Sequence, residues 1–337
     1  MLADSATQPQ LSATTEMVAR GTMAAMNPNP TPTPAARLRG VLAPVLTPFD
    51  AGLAPDAERF VAHCRWLQDQ GVGLAMFGTN SEGNSLSVAE KCALLDALVG
   101  AGVPLDRAMP GTGSCSLTDA IALTNAGLQA GCGGVLVLPP FYYKSPTEDG
   151  LFRFFAELIE RVGSTRLRMY LYQIPPVAVV GFTPSLVARL LKAYPGAIAG
   201  MKDTGGDWAY TQLMIREFAG EGFDVFAGTE TILLDTLRAG GVGCISATAN
   251  VNPARIVALF ERFALPDAED LQKSLNENRA HFASFPLIAA MKTALAHFRR
   301  DVDWSRLRPP LTPLNAAEAR QLMSSLTTAG FSMPHLN

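Results

Sequence analysis

Lys202 lies where a charged side chain is costly. It falls near the end of a short apolar segment, residues 197–204, which has the pattern of a buried strand and runs into the turn Gly205-Gly206. A charged amine held dry inside a protein is destabilising by several kcal/mol, so such a lysine tends to give up its proton. A neutral amine can then attack a carbonyl carbon. The simpler alternative is a lysine whose stem packs while its ammonium group reaches solvent. Four of the other lysines lie in helix-like segments: Lys91, Lys192, Lys273 and Lys292. The fifth, Lys144, lies in a loop.

Hydroxyl and phenol groups follow other predicted strands. Thr79 ends the second strand and is followed by Asn80 and Ser81, Tyr142 follows the fourth strand, and Tyr172 lies in the fifth. Singly, a Thr-Asn-Ser turn is more often a helix cap, and tyrosines after prolines are more often packing aromatics. Together with the lysine they fit imine chemistry. The amine attacks a ketone, and a tyrosine held by a threonine hydroxyl can pass a proton to the departing oxygen.

A metal site built on imidazoles is not predicted. The four histidines, His63, His281, His297 and His335, are dispersed, and the chain contains no HExxH motif. The five cysteines show no CxxC spacing, and their odd number favours reduced thiols in the cytoplasm over a disulfide framework. We therefore predict neither a metal nor another cofactor, and we prefer the lysine route to a metal-dependent aldolase.

Composition excludes several partner classes. The 337 residues are 48% hydrophobic and 17% charged, with a formal net charge of −3, which is typical of a soluble globular protein. The mild acidity and scattered arginines give no reason to expect nucleic acid or a membrane surface as a partner. No apolar run approaches the length of a membrane span.

The elements that would position these groups alternate along the chain. Eight short apolar runs bounded by Gly or Pro predict strands at 40–49, 72–79, 108–113, 134–139, 168–174, 197–204, 224–228 and 243–247. Helix-periodic segments separate them, and one opens with a capping-box spacing between Ser87 and Glu90. This count favours a (β/α)8 TIM barrel, an α/β fold, over residues 37–264. A doubly wound sheet is the alternative, but no GxGxxG follows the first strand.

The regions outside the barrel have their own patterns. Residues 265–337 predict a C-terminal helical region packed on the barrel. Residues 1–36 end in a proline-rich stretch and predict a disordered tail. In a TIM barrel, catalytic groups lie at the carboxyl ends of the strands, so Lys202, Thr79, Tyr142 and Tyr172 are expected to converge at one mouth.

From about residue 39 to its end, the chain resembles the dihydrodipicolinate synthase / N-acetylneuraminate lyase family of pyruvate-handling aldolases. The motifs that carry the likeness are LTPF at 46–49, GTNSE at 78–82, YQIP at 172–175 and MKDT at 201–204. The resemblance implies a homotetramer of barrels acting on a 2-keto acid and an aldehyde. It also implies roles for individual residues. Lys202 would form the Schiff base, and Tyr172 and Thr79 would relay protons. Tyr142 would reach across a dimer interface into the active site of the neighbouring subunit. Gly228 and Ile245 would line the pyruvate pocket.

Two departures from the family pattern concern the substrates. The family turn usually carries a second threonine and a glycine where this chain has Asn80 and Ser81. An amide can still donate a hydrogen bond to a keto-acid carboxylate. The position that corresponds to the arginine gripping the aldehyde's carboxylate is Val177, which offers neither charge nor donor. An apolar or uncharged acceptor is therefore favoured. Dihydrodipicolinate synthase itself, a sugar-acid aldolase or dehydratase, and a keto-acid-binding sensor barrel without activity stay open as alternatives.

Overall fold

A computed structural model describes residues 37–336, so the predicted tail at 1–36 lies outside the described residues. Within them, seven parallel strands form one sheet in the order β2-β1-β7-β6-β5-β4-β3. Their bounds are β1 Gly40–Ala43, β2 Gly73–Leu74, β3 Val135–Val137, β4 Met169–Gln173, β5 Ile198–Asp203, β6 Asp224–Ala227 and β7 Gly243–Ile245.

The eighth position of the barrel is filled by a segment that is not a strand. Residues 108–111 bridge β2 and β3 through isolated parallel pairs, Leu74 with Ala108 and Gly111 with Leu136. The ladder cannot become continuous, because Pro110 has no backbone N–H to donate. Its carbonyl still accepts from Leu136, at 2.9 Å. The prediction of a regular strand at 108–113 was therefore wrong in detail, while the (β/α)8 barrel is confirmed.

Helices alternate with the strands. Their bounds are α1 Ala57–Asp69, α2 Val88–Gly100, α3 Leu117–Gln129, α4 Glu148–Val162, α5 Pro175–Ala178, α6 Pro184–Ala193, α7 Trp208–Phe218, α8 Leu233–Arg238, α9 Pro253–Arg262, α10 Ala268–Ala283, α11 Leu287–Phe298 and α12 Ala316–Thr328. The predicted capping box at the start of α2 is present, with Ser87 and Glu90 bonding each other's backbone. None of the helices within 37–336 is long and apolar enough to cross a membrane.

The two faces of each strand separate the interior of the barrel from its helical layer. Tyr170, Tyr172 and Phe226 belong to the cluster inside the barrel. Leu171 and Met201 alternate with them and pack in a second cluster with residues of α4, α6 and α7. This alternation directs every second side chain of β4 and β5 toward the barrel axis. Lys202, which follows Met201, is therefore directed inward.

The C-terminal helices share a core with the first half of the barrel. Leu275 and Phe282 of α10, Ala294 of α11 and Leu326 of α12 are buried in one cluster with Phe60 of α1. Burying these apolar side chains stabilises the region against the barrel. The start of α11 and the segment that follows it are thereby held close to the barrel mouth.

Candidate active site

Lys202 and Tyr172 are neighbours on adjacent strands. The parallel pairing of β4 with β5 sets Tyr172 opposite Lys202, and each side chain is 2% exposed. Lys202 Nζ donates a hydrogen bond to the Tyr172 hydroxyl at 3.1 Å and lies 4.3 Å from the centre of its ring. A cation this close to an aromatic face is also attracted by the ring itself. The amine and the phenol therefore form one buried unit.

Thr79 extends this unit by one more hydroxyl. Its Oγ1 lies 3.3 Å from the Tyr172 hydroxyl, so a lysine amine, a phenol and an alcohol stand in a row. A row of this kind can pass a proton in either direction, because each oxygen can both donate and accept. The structure thus brings together three of the four residues that the sequence nominated for catalysis.

The environment of Tyr172 favours release of its proton. Burial by itself raises the pKa of the phenol. The charge of Lys202 and the hydrogen bonds with Thr79 and Lys202 outweigh that effect, so the pKa lies below its ordinary value. A phenol with a lowered pKa exchanges its proton more readily near neutral pH, which suits a proton relay.

Asp203 shows how the end of β5 is held. It points away from the barrel axis, where its carboxylate accepts hydrogen bonds from Thr211 Oγ1 of α7 at 2.5 Å and from the Gly205 N–H at 2.8 Å. Burial raises the pKa of this carboxyl, although both hydrogen bonds oppose the shift. The turn after Lys202 is thereby tied to α7, which keeps the lysine on the inner side of the strand.

The turn that carries Thr79 is fastened at its far end. Glu82 has a left-handed φ of 55° and a buried side chain that accepts hydrogen bonds from Lys292 Nζ and from the Arg308 N–H. Burial lowers the pKa of Lys292 to about 8, with the Glu82 carboxylate opposing the shift. A side chain at Gly83 would place its Cβ 1.9 Å from the Phe77 carbonyl oxygen, so only glycine fits there.

The buried pair of Glu82 and Lys292 was missed at the sequence level. Glu82 stood inside the GTNSE motif, but its partner lies 210 residues away and looked like an ordinary helical lysine. The signal that could have revealed it is the apolar sequence on both sides of Lys292, LIAAM and TALA. A lysine in such a helix is buried on the inner face and needs a partner.

Four of the predicted substrate-binding residues have different local settings. Asn80 is half-buried beside a cavity that also touches the start of α11. Ser81 is fully buried, and its hydroxyl finds no partner among the described residues. Ile245 is buried at the end of β7 inside the barrel. A Cβ at Gly228 would lie 2.1 Å from Thr204 Oγ1, so a bare backbone is required at this point.

Thr204 was also not nominated from the sequence. It lies two positions after Lys202 and next to Gly228, and its buried hydroxyl is close enough to the Tyr172 phenol to help lower the pKa of that group. Because side chains alternate along a strand, the i+2 spacing from Lys202 was the available signal.

Two nominated residues lie apart from the buried row. Tyr142 is 72% exposed and packs edge-on against Tyr143, with ring centres 5.4 Å apart. No hydrogen bond between Tyr142 and Tyr172 occurs within residues 37–336 of the single chain. Val177 is 58% exposed on the short helix α5. Neither side chain completes the site from within its own chain.

A buried carboxylate lies beyond Gly228. Glu230 is 1% exposed and accepts hydrogen bonds from Ser246 and Thr248, with Arg279 Nη1 at 3.3 Å. These donors satisfy the hydrogen-bonding capacity of a side chain that is shut off from water. It ties β6 to the segment after β7, which positions Ile245. Within the described residues, no group of three or more His, Cys, Asp or Glu side chains could hold a metal ion.

Comparison with known proteins places the chain among similar sequences over nearly all of the described length. A sequence model of the Dihydrodipicolinate synthetase family matches residues 37–329. An uncharacterized DapA-like lyase of Chloroflexus aurantiacus is 32% identical over 290 residues, which is 85% of this chain and 95% of that protein. A 4-hydroxy-tetrahydrodipicolinate synthase of Rhizobium meliloti is 33% identical over 297 residues, 87% of this chain and 98% of that protein.

Solved structures of proteins from the same family are also similar to this chain. Dihydrodipicolinate synthase from Agrobacterium tumefaciens matches with a TM-score of 0.79 and 30% identity, over 86% of this chain and 99% of that one. YagE, a prophage protein of the dihydrodipicolinic acid synthase family from E. coli K12, was solved in complex with pyruvate. It matches with a TM-score of 0.79 and 28% identity, over 88% of this chain and all of that one (100%).

Proposed function

Since the chain belongs to the dihydrodipicolinate synthetase family, a family of class I aldolases and lyases, we propose that Lys202 forms a Schiff base with pyruvate or a related 2-keto acid. The observation that carries this proposal is the buried row of Lys202 Nζ, Tyr172 hydroxyl and Thr79 hydroxyl, with separations of 3.1 and 3.3 Å. A lysine with only a structural role has no need of a proton path leading away from it.

In the proposed reaction Lys202 Nζ gives up a proton and adds to the ketone carbon, and the ketone oxygen takes a proton. That oxygen then leaves as water after a second proton transfer, and a C=N bond joins the lysine to the substrate. Loss of a proton from the adjacent carbon gives an enamine, whose carbon attacks an aldehyde carbon while the aldehyde oxygen takes a proton. Water finally hydrolyses the imine, which releases the product and restores the amine. Lyase chemistry runs the same steps in reverse.

Each neighbour of Lys202 has a proposed role in these steps. Tyr172 hands protons to and from the departing oxygen, and its lowered pKa supports that task. Thr79 holds the phenol and passes the proton on. The amide of Asn80 donates to the keto-acid carboxylate, since Asn80 stands one residue from Thr79 at the mouth.

Tyr142 is assigned to a neighbouring copy's site. Its phenol is 72% exposed, so it is available to a second chain, and the proposed assembly is a homotetramer in which pairs exchange this tyrosine. Sedimentation analysis and activity measured across a dilution series test this assignment. Full activity per chain in a monomeric sample would refute the exchange of Tyr142.

The imine is tested by trapping it. Borohydride added together with pyruvate should reduce the C=N bond and leave a permanent mass increase on the peptide that contains Lys202. The matched controls are Lys202→Arg, which should take no adduct, and Lys192→Arg, a change at an exposed lysine of α6, which should take the native adduct. Absence of an adduct in the native protein across a panel of 2-keto acids would sink the proposal. So would an adduct that persists in Lys202→Arg.

The second candidate is the 4-hydroxy-tetrahydrodipicolinate synthase reaction itself, favoured by the relative of that name that is 33% identical. The neutral side chain of Val177 argues against it, because a second carboxylate would meet neither charge nor donor there. Pyruvate paired in turn with aspartate semialdehyde, sugar-derived aldehydes and apolar aldehydes separates the two. The highest kcat/KM with aspartate semialdehyde would establish the synthase.

A further inference from the structure

A cavity beside Asn80 has walls that differ in chemistry from the rest of the mouth. Its volume is about 360 Å3, and we name it the Asn80 cavity. Its lining residues are Asn80, the segment 286–289 at the start of α11, and residues 307 and 310–312 after α11. Seven of these nine residues are apolar and none of them is charged. Ligand pockets have this composition when one or two polar groups orient an apolar ligand.

The walls of the Asn80 cavity are set into the fold. Leu307 is 6% exposed and Ala289 is 2% exposed, so the floor belongs to the core. Leu311 is 37% exposed and forms part of the rim. Leu287 and Ile288 are half-buried between floor and rim. The cavity is therefore accessible from the rim, and its floor is formed by buried core residues.

The Glu82 ion pair ties the walls of the Asn80 cavity to the turn that carries Thr79. Thr79, which contacts the Tyr172 hydroxyl, is joined directly to Asn80. Three residues later, Glu82 accepts from Lys292 of α11 and from the Arg308 N–H, so the turn is tied to both of the segments that line the cavity. Because the turn and the two walls are linked through one buried carboxylate, the distance between cavity and catalytic row is built into the fold.

A second cavity of about 390 Å3 lies near Gly228 and also touches Thr204. Its lining includes Asp203 and Thr211, which bond each other between the strand and α7, as well as the charged Arg279. Lys202 faces the opposite side of that strand. A lining that contains charged side chains does not suit an apolar substituent.

We propose that the Asn80 cavity receives the substituent of the second substrate, and that this substrate is an aldehyde bearing an aryl or branched alkyl group. The inference rests on the imine at Lys202 and adds the acceptor class to it. A cavity of about 150 Å3 suffices to hold a benzene ring, so the Asn80 cavity has room for a ring and its aldehyde carbon. The new bond joins the enamine carbon to that aldehyde carbon, and the aldehyde oxygen takes a proton at the mouth.

The test compares two aldehydes and three variants. The native protein with pyruvate should use benzaldehyde with a kcat/KM at least about tenfold higher than D-glyceraldehyde. Leu287→Asn and Leu311→Asn put an amide into the wall and should reduce that ratio by about tenfold. Leu265→Asn, a change at a 49% exposed leucine outside the cavity, should leave the ratio unchanged. Because Leu311 is on the rim, its variant is expected to fold even if Leu287→Asn does not.

Two further measurements distinguish a failure of the cavity proposal from a failure of the imine proposal. Borohydride trapping with pyruvate alone should be equal in the native protein and in Leu311→Asn, since neither aldehyde is present. Binding of benzyl alcohol, an unreactive stand-in for the aldehyde, should be visible by ligand-observed NMR in the native protein and weakened in Leu311→Asn. If imine forms but D-glyceraldehyde is used as well as benzaldehyde, or if benzyl alcohol does not bind the native protein, the acceptor proposal is wrong. If the trapping fails, the imine at Lys202 is refuted. The binding of benzyl alcohol then decides separately whether the cavity accepts an aromatic group.

Discussion

Replacing Tyr172 with phenylalanine removes one oxygen atom from the site and keeps the ring. That oxygen accepts from Lys202 Nζ at 3.1 Å and lies 3.3 Å from Thr79 Oγ1, so its loss disconnects the amine from the rest of the row. General acid–base catalysis by one positioned group is worth about 10²–10⁴ in rate. We therefore expect kcat to fall by about that factor, which corresponds to roughly 3–5 kcal/mol of activation free energy.

The matched control is Tyr170→Phe. Tyr170 lies two residues earlier on the same strand, faces the same interior and is 1% exposed, and burial raises the pKa of its phenol to about 12. Its hydroxyl is at the opposite end of β4 from Lys202, so kcat should stay within a few-fold of native. Steady-state kinetics with a 2-keto acid and the rate of borohydride trapping measure the effect, and thermal unfolding checks that both variants fold.

The relay role of Tyr172 is refuted if Tyr172→Phe keeps kcat within about tenfold of native, since a relay cannot be worth so little. It also fails if both variants lose activity in proportion to their loss of stability, because the phenol would then be a structural group. A drop in kcat with KM for the keto acid unchanged would support a role in the chemical steps rather than in binding.

Three further predictions concern positions inside the protein. Gly228→Ala should abolish keto-acid trapping, because its Cβ would lie 2.1 Å from Thr204 Oγ1 and 2.6 Å from a backbone carbonyl oxygen; a native borohydride adduct would contradict this. Lys292→Met should lower the free energy of unfolding by about 3–5 kcal/mol by leaving Glu82 charged and buried, and adding Glu82→Gln should recover most of the loss. Denaturant unfolding measures both, and equal losses in the single and double variants would exclude this explanation. Burial lowers the pKa of His63 from 6.5 to about 3, so the folded state binds fewer protons than the unfolded state between these values. The contribution of His63 is complete above about pH 6.5 and is lost as pH falls toward 3, so His63→Gln should flatten the dependence of unfolding free energy on pH in this window, and an unchanged slope in urea unfolding would refute it.

The alternation of strands and helices was predictable because it depends on local sequence patterns. Short apolar runs bounded by Gly or Pro marked the strands, and 3.6-residue periodicity marked the helices. The strand ends were less predictable. The first strand was expected over 40–49 and ends at Ala43, since Pro44 cannot continue the ladder as a donor. At residues 108–113, where a third strand was expected, Pro110 reduced the pairing to isolated bridges.

The chemical character of the site also followed from the sequence. Lys202 at the end of an apolar strand, with Tyr172 on the preceding strand, is a local pattern, and parallel pairing of neighbouring strands then sets the two side by side. The family membership and the lysine-based enzyme class predicted on this basis are confirmed. The roles assigned to single residues stay predictions for the experiments above.

What the sequence by itself determined is therefore the barrel and the nomination of Lys202 as the reactive amine, since both depend on patterns within a few residues. Only the tertiary structure decided which groups surround that amine. Glu82 meets Lys292 across 210 residues, Asp203 turns toward α7, and the start of α11 joins the 307–312 segment to make an apolar wall beside Asn80. Such contacts arise from how distant segments pack. Their energies depend on burial and on paired charges that no local pattern records.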